Sequence, residues 1–309
     1  MTQRKKTGVS PKMIKWIWCV ALAPFAFVGV LLLLTALGVF GRMPSFEELE
    51  NPRSNLATEI YSEDGKVIGT FFVQNRSYVQ YADLFPDDST LHIRLGGHEV
   101  PPIVAALIAT EDARFRTHSG IDIPSLARVA VKTVLLQNTS QGGGSTITQQ
   151  FIKNATGERE VTVRRKLVEI YRALEFEKTH TKPQIMELYL NIIPLGENCR
   201  GVQSASRVYF GKDVKDLTLA ECASLIGITN NPSRYDPYIS AENNKERQEV
   251  ILSEMLKQGY INQAQYDEAV AQELVFTNAS REKKKSDDNY SWFVDQVIND
   301  VVNDLCDKT

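Results

Sequence analysis

Two acids followed closely by an aromatic ring, an imidazole and a glycine are the part of this chain best suited to chemistry. Ala109-Thr-Glu-Asp-Ala-Arg-Phe-Arg-Thr-His-Ser-Gly120 puts Glu111 and Asp112 at the end of an apolar helical run, with Phe115, His118 and Gly120 behind them. A second block, Gly143-Gly-Ser-Thr-Ile-Thr-Gln-Gln-Phe-Ile-Lys-Asn154, brings Ser145, Thr148, Gln149, Gln150, Lys153 and Asn154. A third, Arg165-Lys-Leu-Val-Glu169, adds Arg165, Lys166 and a further carboxylate, Glu169.

A carboxylate such as Glu111 can take the proton from a sugar hydroxyl as that oxygen attacks an anomeric carbon. Paired carboxylates are the working parts of glycosidases. A pyrophosphate leaves well when cations neutralise it. Arg grips phosphate oxygens with its fork and Lys supplies a point charge, which makes Lys153, Arg165 and Lys166 candidates for that task. Hydroxyls and amides of the second block can bond sugar hydroxyls, N-acetyl groups and phosphate. The glycines before Ser145 let the next helix present backbone N–H groups to an anion. They are not a Walker loop, because Gly-Lys-Ser/Thr is missing. No nucleophile elbow accompanies the acids, so acyl transfer is set aside.

Each residue also has a plain structural reading. Glu111 could be a solvated acid at a helix end, and Asp112 a residue that holds backbone or Arg beside it. Phe115 reads as packing, His118 equally as a structural hydrogen bond, and Ser145 equally as an N-cap. On the helix of the third block, Val163, Leu167, Ile170 and Leu174 form an apolar stripe, with Arg165, Glu169 and Arg172 opposite. Taken alone, that polar side is a solvated face with an Arg165–Glu169 pair at i,i+4.

The elements that must carry these residues are mostly helical. The pattern predicts helices over 103–115 and 123–136, the second with Asp122 as N-cap and Pro124 in its first turn. Others start near Ser145, cover 162–178, open at Pro183, and cover 202–209, 218–228 and 241–258. Residues 138–144 read as a polar, Gly-rich mobile loop. Ahead of the helices, 42–98 reads as a linker and a short stalk. Its β-hairpin, around 58–73, turns at Asp64-Gly65.

The net charge of −3 divides unevenly: Arg4, Lys5, Lys6, Lys12 and Lys15 put +5 on residues 1–15, leaving −8 on the rest. That distribution favours an anionic membrane surface and does not suggest nucleic acid. Residues 16–41 carry no charge over 26 positions. At about 1.5 Å per residue they reach roughly 39 Å, enough for a transmembrane helix. The basic flank places the N-terminus in the cytoplasm and the catalytic part outside, a single-pass cell-membrane arrangement. A cleaved signal peptide fits less well, since the apolar stretch is long and no Ala-x-Ala site follows. Four cysteines are too few for a disulfide scaffold; a Cys199–Cys222 bridge is conceivable, with free buried thiols the default.

Together the three blocks resemble the peptidoglycan glycosyltransferase domain, family 51, of class A penicillin-binding proteins and monofunctional transglycosylases. The resemblance runs from about residue 99 to about 260. It includes Glu187-Leu-Tyr-Leu-Asn191, Gly196, Gly201-Val, Tyr209-Phe-Gly-Lys212 and Leu217-Thr-Leu-Ala-Glu221, read mostly as architecture. One position departs: Arg200 stands where the family commonly has an aromatic residue, which bears on local sugar contacts.

The resemblance implies a mainly α, lysozyme-like fold with head and jaw lobes over 99–262, and a tail over 263–309 similar to the link into a transpeptidase domain. It implies lipid II and the growing glycan strand as partners at the cytoplasmic membrane. Glu111 would be the general base, with Glu169, Lys153 and Arg165 on the pyrophosphate side. It implies inversion at MurNAc C1 and release of undecaprenyl pyrophosphate. No cofactor is required, and a divalent cation, Mg or Mn, is compatible. Contacts to other cell-wall synthesis or division proteins stay open. The alternatives are a lysozyme-like wall hydrolase and a non-catalytic, membrane-anchored wall-binding module.

Overall fold

The computed structural model describes residues 11–39, 45–50, 58–61, 67–71, 75–88, 92–95, 97–136, 143–157 and 162–277. Helix α1 is Pro11–Ala36 and α2 is Phe46–Glu50. Strands β1, Thr58–Tyr61, and β2, Val67–Phe71, pair antiparallel with Thr58 opposite Phe71, as the expected hairpin requires. Its Asp64-Gly65 turn lies outside the described residues, as does most of the expected loop at 138–144. Asn75–Arg76 forms β3. Ile93–Leu95 and His98–Val100 form a second small hairpin, β4 and β5, in a stretch whose sequence reads mostly as loop.

The helices that matter to the site fall into two packed groups. Helix α3, Pro102–Glu111, is buried from Pro102 to Ala109. Its sequence is apolar all round, which is what a helix enclosed on every side needs. It packs against α9, Leu219–Ile228, and α11, Ala241–Lys257, which also pack on each other. The second group is centred on α5, Ile147–Thr156, which lies against both α6, Val163–Thr179, and α7, Lys182–Ile192. Between α3 and α5 the chain runs through a turn at 113–120 and α4, Ile123–Leu136.

Polar sequence signals set the helix ends. Thr146 caps α5 and Thr162 caps α6, each accepting from a backbone N–H three residues on. Thr181 with Gln184, and Thr218 with Glu221, form capping boxes for α7 and α9. Asp122 Oδ1 accepts the Ser125 N–H at 3.4 Å, the cap expected for α4. Buried Asn191 on α7 bonds Val79 through both its N–H and C=O, and Glu187 takes the Tyr81 N–H at 2.7 Å. That block therefore docks the segment before α3 onto the second group.

Three boundaries differ from the sequence pattern. The helix expected over 103–115 stops at Glu111. Asp112 leaves helical geometry at φ −155° because its side chain turns inward to other partners. On α6 the enclosed residues are Glu169, Ala173 and Phe176, whereas Val163, part of the expected apolar stripe, is 78% exposed. Beyond 262, Gln263–Ala271 forms a further helix, here labelled α12, with a capping box from Asn262 and Gln265. It packs on α11, and Thr277 N–H reaches Tyr209 O at 2.8 Å, so ordered packing continues into the expected tail. The remaining helices are α8, Val202–Phe210, which follows the two-residue strand β6, Cys199–Arg200, and α10, Pro232–Tyr235.

The transmembrane helix expected over 16–41 coincides in place with α1, which lies against α6. Among the described residues, however, no helix is long and apolar enough to cross a membrane. Cys199 and Cys222 are free and buried; they form no bridge. Burial pushes the Cys199 thiol up to about 12, which keeps it unreactive.

Gly120 is where the turn after α3 squeezes past α6. Its φ is +91°, and a Cβ there would sit 2.5 Å from the Ala173 carbonyl oxygen. Gly120→Ala should therefore lower stability by about 2–4 kcal/mol, combining left-handed strain with overpacking. Denaturant unfolding of the two proteins measures it.

Candidate active site

The C-terminal end of α3, the start of α5, the first half of α6 and one face of α11 enclose a single cleft of about 1390 Å³. Its lining includes Glu111, Asp112, Ser145, Gln149, Gln150, Lys153, Asn154, Arg165, Lys166 and Glu169. Ten of the sequence-selected residues thus come together from three separated blocks.

Glu111 is the last residue of α3, and its side chain is 18% exposed. Gln150 Nε2 donates to Glu111 Oε2 at 3.0 Å, and Tyr189 donates its hydroxyl to Gln150 Oε1 at 2.8 Å. Burial, and then the nearby Glu111 charge, push the Tyr189 phenol well above its ordinary value. It stays an O–H donor, and a donor at Gln150 Oε1 leaves the amide N–H₂ to face Glu111. Arg247 Nη2 stands 3.9 Å from Glu111 Oε1.

Asp112 is buried. Its Oδ2 accepts from Ile147 N–H at 3.0 Å and from His118 Nε2 at 2.8 Å. His118 Nδ1 accepts the Gly120 N–H at 3.2 Å, which puts the imidazole proton on Nε2. Thr146 Oγ1 in turn donates to Gly120 O at 2.8 Å.

On the other side of α5, Lys166 Nζ donates to Ser145 Oγ at 2.7 Å, Gln149 Oε1 at 2.9 Å and Glu169 Oε2 at 3.2 Å. All three ammonium protons are therefore in use. Burial lowers the Lys166 pKa, and Glu169 opposes that shift. Glu169 Oε1 lies 3.1 Å from Arg165 Nη1. Lys153 is exposed at the cleft and pairs with no acid among the described residues. Lys153, Arg165 and Lys166 against the single Glu169 leave this wall net positive, as an anion-binding surface should be.

Three sequence candidates stand elsewhere. Phe115, His118 and Thr148 do not line the cleft. Phe115 is buried, with Lys182 Nζ 4.4 Å above its ring. His118 packs edge-on to Phe115 and reaches Asp112 from beneath. Thr148 faces away from the cleft on α5 and donates to Glu177. Phe115 and His118 thus take the packing and hydrogen-bonding places that their plain structural readings gave them, and Thr148, a substrate-binding candidate, bonds Glu177 instead.

Conversely, the cleft includes residues that were not among the site candidates: Arg114, Arg128, Tyr189, Tyr235 and Arg247. Arg247 lies in α11, where a charged helix face carries no signal of its own. Only the spacing that brings α11 across α3 exposes it as a neighbour of Glu111.

Comparison with known proteins places the chain in a family. The family model described as Transglycosylase matches residues 64–256. Penicillin-binding protein 1A of Pseudomonas aeruginosa is 38% identical over 267 residues, 85% of this chain and 30% of that protein. Its namesake from Aquifex aeolicus is 37% identical over 277 residues, 90% of this chain and 35% of that protein. The crystal structure of penicillin-binding protein 1A from Haemophilus influenzae covers 73% of this chain and 22% of its own, with 26% identity and a TM-score of 0.41. The chain belongs to the transglycosylase family, the peptidoglycan glycosyltransferases of family 51. It spans about a third of the length of these curated relatives.

Two predictions follow from the hydrogen bonds. Asp112→Ala removes the one oxygen that accepts from both Ile147 N–H and His118 Nε2 and leaves two buried donors unpaired. It should destabilise by about 1–3 kcal/mol, read as a fall in unfolding midpoint. Lys166 is held below the ordinary lysine value. Its cation is therefore lost as pH rises through that lowered value, and the unfolded chain binds the extra proton across the interval up to about 10.4. Anion binding to the cleft should weaken over that range, and Lys166→Arg should remove the weakening. Titration of a diphosphate at several pH values checks it.

Proposed function

We propose that the cleft polymerises lipid II into glycan strands. The observation that carries the reading is one cleft with a directed carboxylate, Glu111, at one side and a cation-rich wall around Glu169 at another. Glu111 takes the proton from the GlcNAc 4-hydroxyl of incoming lipid II. That oxygen forms its bond to MurNAc C1 of the growing strand as the C1–O bond to pyrophosphate breaks. Direct displacement inverts the anomeric centre, and undecaprenyl pyrophosphate leaves. Lys153 and Arg165, with Glu169 holding Arg165 and Lys166 in place, neutralise the departing charge. Ser145, Gln149, Gln150 and Asn154 supply hydrogen bonds to sugar and phosphate.

A wall hydrolase would use the carboxylates but has no call for a cationic wall. No resident cofactor is needed, since fixed cations face the leaving group; a divalent ion, Mg or Mn, arriving with the pyrophosphate is compatible. Helix α1 supports a membrane setting: Trp16, Trp18, Phe27 and Leu33 are uncovered on it, and 16–41 carry no charge. With residues 1–15 in the cytoplasm, the anchor keeps the cleft beside a lipid-borne substrate and raises its effective concentration.

Detergent-solubilised protein given labelled lipid II should release glycan polymer. Glu111→Gln should cut the rate by about 10²–10⁴-fold, the typical share of a general base. Absence of polymer from the intact protein, or an unchanged rate in the variant, would end this reading.

A further inference from the structure

One buried acid has no part in the reaction proposed above. Glu177 lies on α6 roughly two turns beyond Glu169. Its side chain is 4% exposed, and it does not line the cleft. Three elements supply its partners. Thr148 on α5 donates its hydroxyl to Glu177 Oε1, and Lys182, at the start of α7, donates from Nζ to Oε2 at 2.5 Å. His118 Nδ1, in the turn after α3, stands 3.9 Å from Oε1. The Lys182 ammonium also lies 4.4 Å from the centroid of the Phe115 ring.

His118 is thus buried between two carboxylates. Its Nε2 proton goes to Asp112, and its Nδ1 accepts the Gly120 N–H while facing Glu177. On its own turn Arg114 is paired with Asp122 and Arg116 is exposed, and α5 offers the uncharged Thr148. A carboxylate at that distance, shielded from water and without a counter-ion, favours a proton on the nitrogen it faces. Lys182 is the cation that offsets Glu177. Without it a second proton on Nδ1 is favoured, and that N–H would face the Gly120 N–H, donor against donor. The turn has no slack to absorb the change. Gly120 lies against the Ala173 carbonyl, and its own carbonyl receives Thr146. Asp112, bonded to the same imidazole, would shift with it, and Glu111 is its chain neighbour.

We propose that Lys182 and Glu177 are a positioning pair for Glu111. Their ion pair, outside the cleft, holds His118 as the neutral Nε2–H tautomer and so keeps Asp112 and the end of α3 in register with α5. The role given to Glu111 rests on the glycosyl-transfer reading. An ion pair that merely tied α6 to α7 would not set the charge of an imidazole, and this one does. The sign of the effect follows. With Glu177 uncompensated, His118 takes its second proton sooner as pH falls, so loss of Lys182 harms the enzyme at a pH that the unaltered protein tolerates.

Polymerisation of labelled lipid II across pH, with NMR of the histidine ring nitrogens in the same detergent-solubilised proteins, tests it. The chain has 4 histidines, so His92→Gln, His98→Gln and His180→Gln identify the His118 signals by elimination. In the unaltered protein at neutral pH, His118 should show a protonated Nε2 and a bare Nδ1. Lys182→Met, whose thioether can still pack on Phe115, should move the acid limb of kcat upward by about one pH unit, with KM changed less. Nδ1 should become protonated over the same range. Lys182→Arg should keep the unaltered profile, and Glu177→Gln added to Lys182→Met should restore it. An acid limb that stays in place in Lys182→Met, or one that moves and is not restored by the second change, would overturn the proposal. So would a protonated Nδ1 in the unaltered protein, a measurement that needs no variant to fold. Failure of the unaltered protein to make polymer would count against glycosyl transfer itself, whereas the ring-nitrogen signals bear on the positioning pair alone.

Discussion

One carboxylate oxygen, Asp112 Oδ2, joins the two helix groups. It accepts the first N–H of α5 from Ile147 and the Nε2–H of His118, deep in the protein. The same residue ends α3, so the termination of one helix and the start of another are fixed at one atom. A carboxylate at a helix N-terminus is favoured by unsatisfied N–H groups and the dipole together. Burial without those donors would be costly, which makes the junction rigid rather than optional. Glu111 precedes it by a single residue. Its backbone belongs to a helix enclosed on all sides, and its neighbour is pinned, so the Glu111 carboxylate has little freedom left except its own side-chain rotation.

From that junction α5 acts as the spacer between Glu111 and Glu169. Successive residues on its cleft side point to different ends of the site. Gln150 serves Glu111, backed by Tyr189 from α7. Gln149 serves Lys166, which in turn touches Glu169. The two carboxylates are thereby linked through neighbouring amides of a single helix, and neither amide can flip without losing a partner. Gly120 completes the arrangement, because only a residue without Cβ lets the turn carrying His118 lie against α6 while its carbonyl receives Thr146.

Much of this was legible in the chain as written. The helices from α3 onward fall close to their expected places because Thr, Asn, Asp and Pro mark their starts with local chemistry. Glu111, Gln150, Lys166 and Glu169 stood out because their blocks carry a recognisable spacing. What did not show was direction. On α6 the apolar stripe suggested one buried face, and the enclosed face proved to be that of Glu169, Ala173 and Phe176. Thr148 looked like one more hydroxyl in a polar block, yet a turn of helix aims it at Glu177, away from the cleft. Arg247 was invisible for a different reason: its contact with Glu111 depends on helix packing between elements more than a hundred residues apart. Local pattern reports what an element is, and only tertiary packing reports what it faces.

The cleft's charges then make sense as a gradient around Glu111. Toward α6, three cations meet one acid, and Lys166 is already saturated by Ser145, Gln149 and Glu169. Lys166 thus holds Gln149 and Glu169 in place, while Lys153 is exposed at the cleft with no acid partner among the described residues. Beside Glu111 itself the close cation among the described residues is Arg247, at 3.9 Å, a longer contact than the Arg165–Glu169 pair at 3.1 Å. Arg247 also lies 5.9 Å over the Tyr235 ring, and its buried Nε has no hydrogen-bond partner. A tight ion pair would hold Glu111 as a counter-ion, whereas this longer contact leaves its orientation to the Gln150 amide. The same residue type, Glu, is thereby given two settings by its neighbours: Glu169 is clamped between cations, and Glu111 is steered by an amide and lines the cleft.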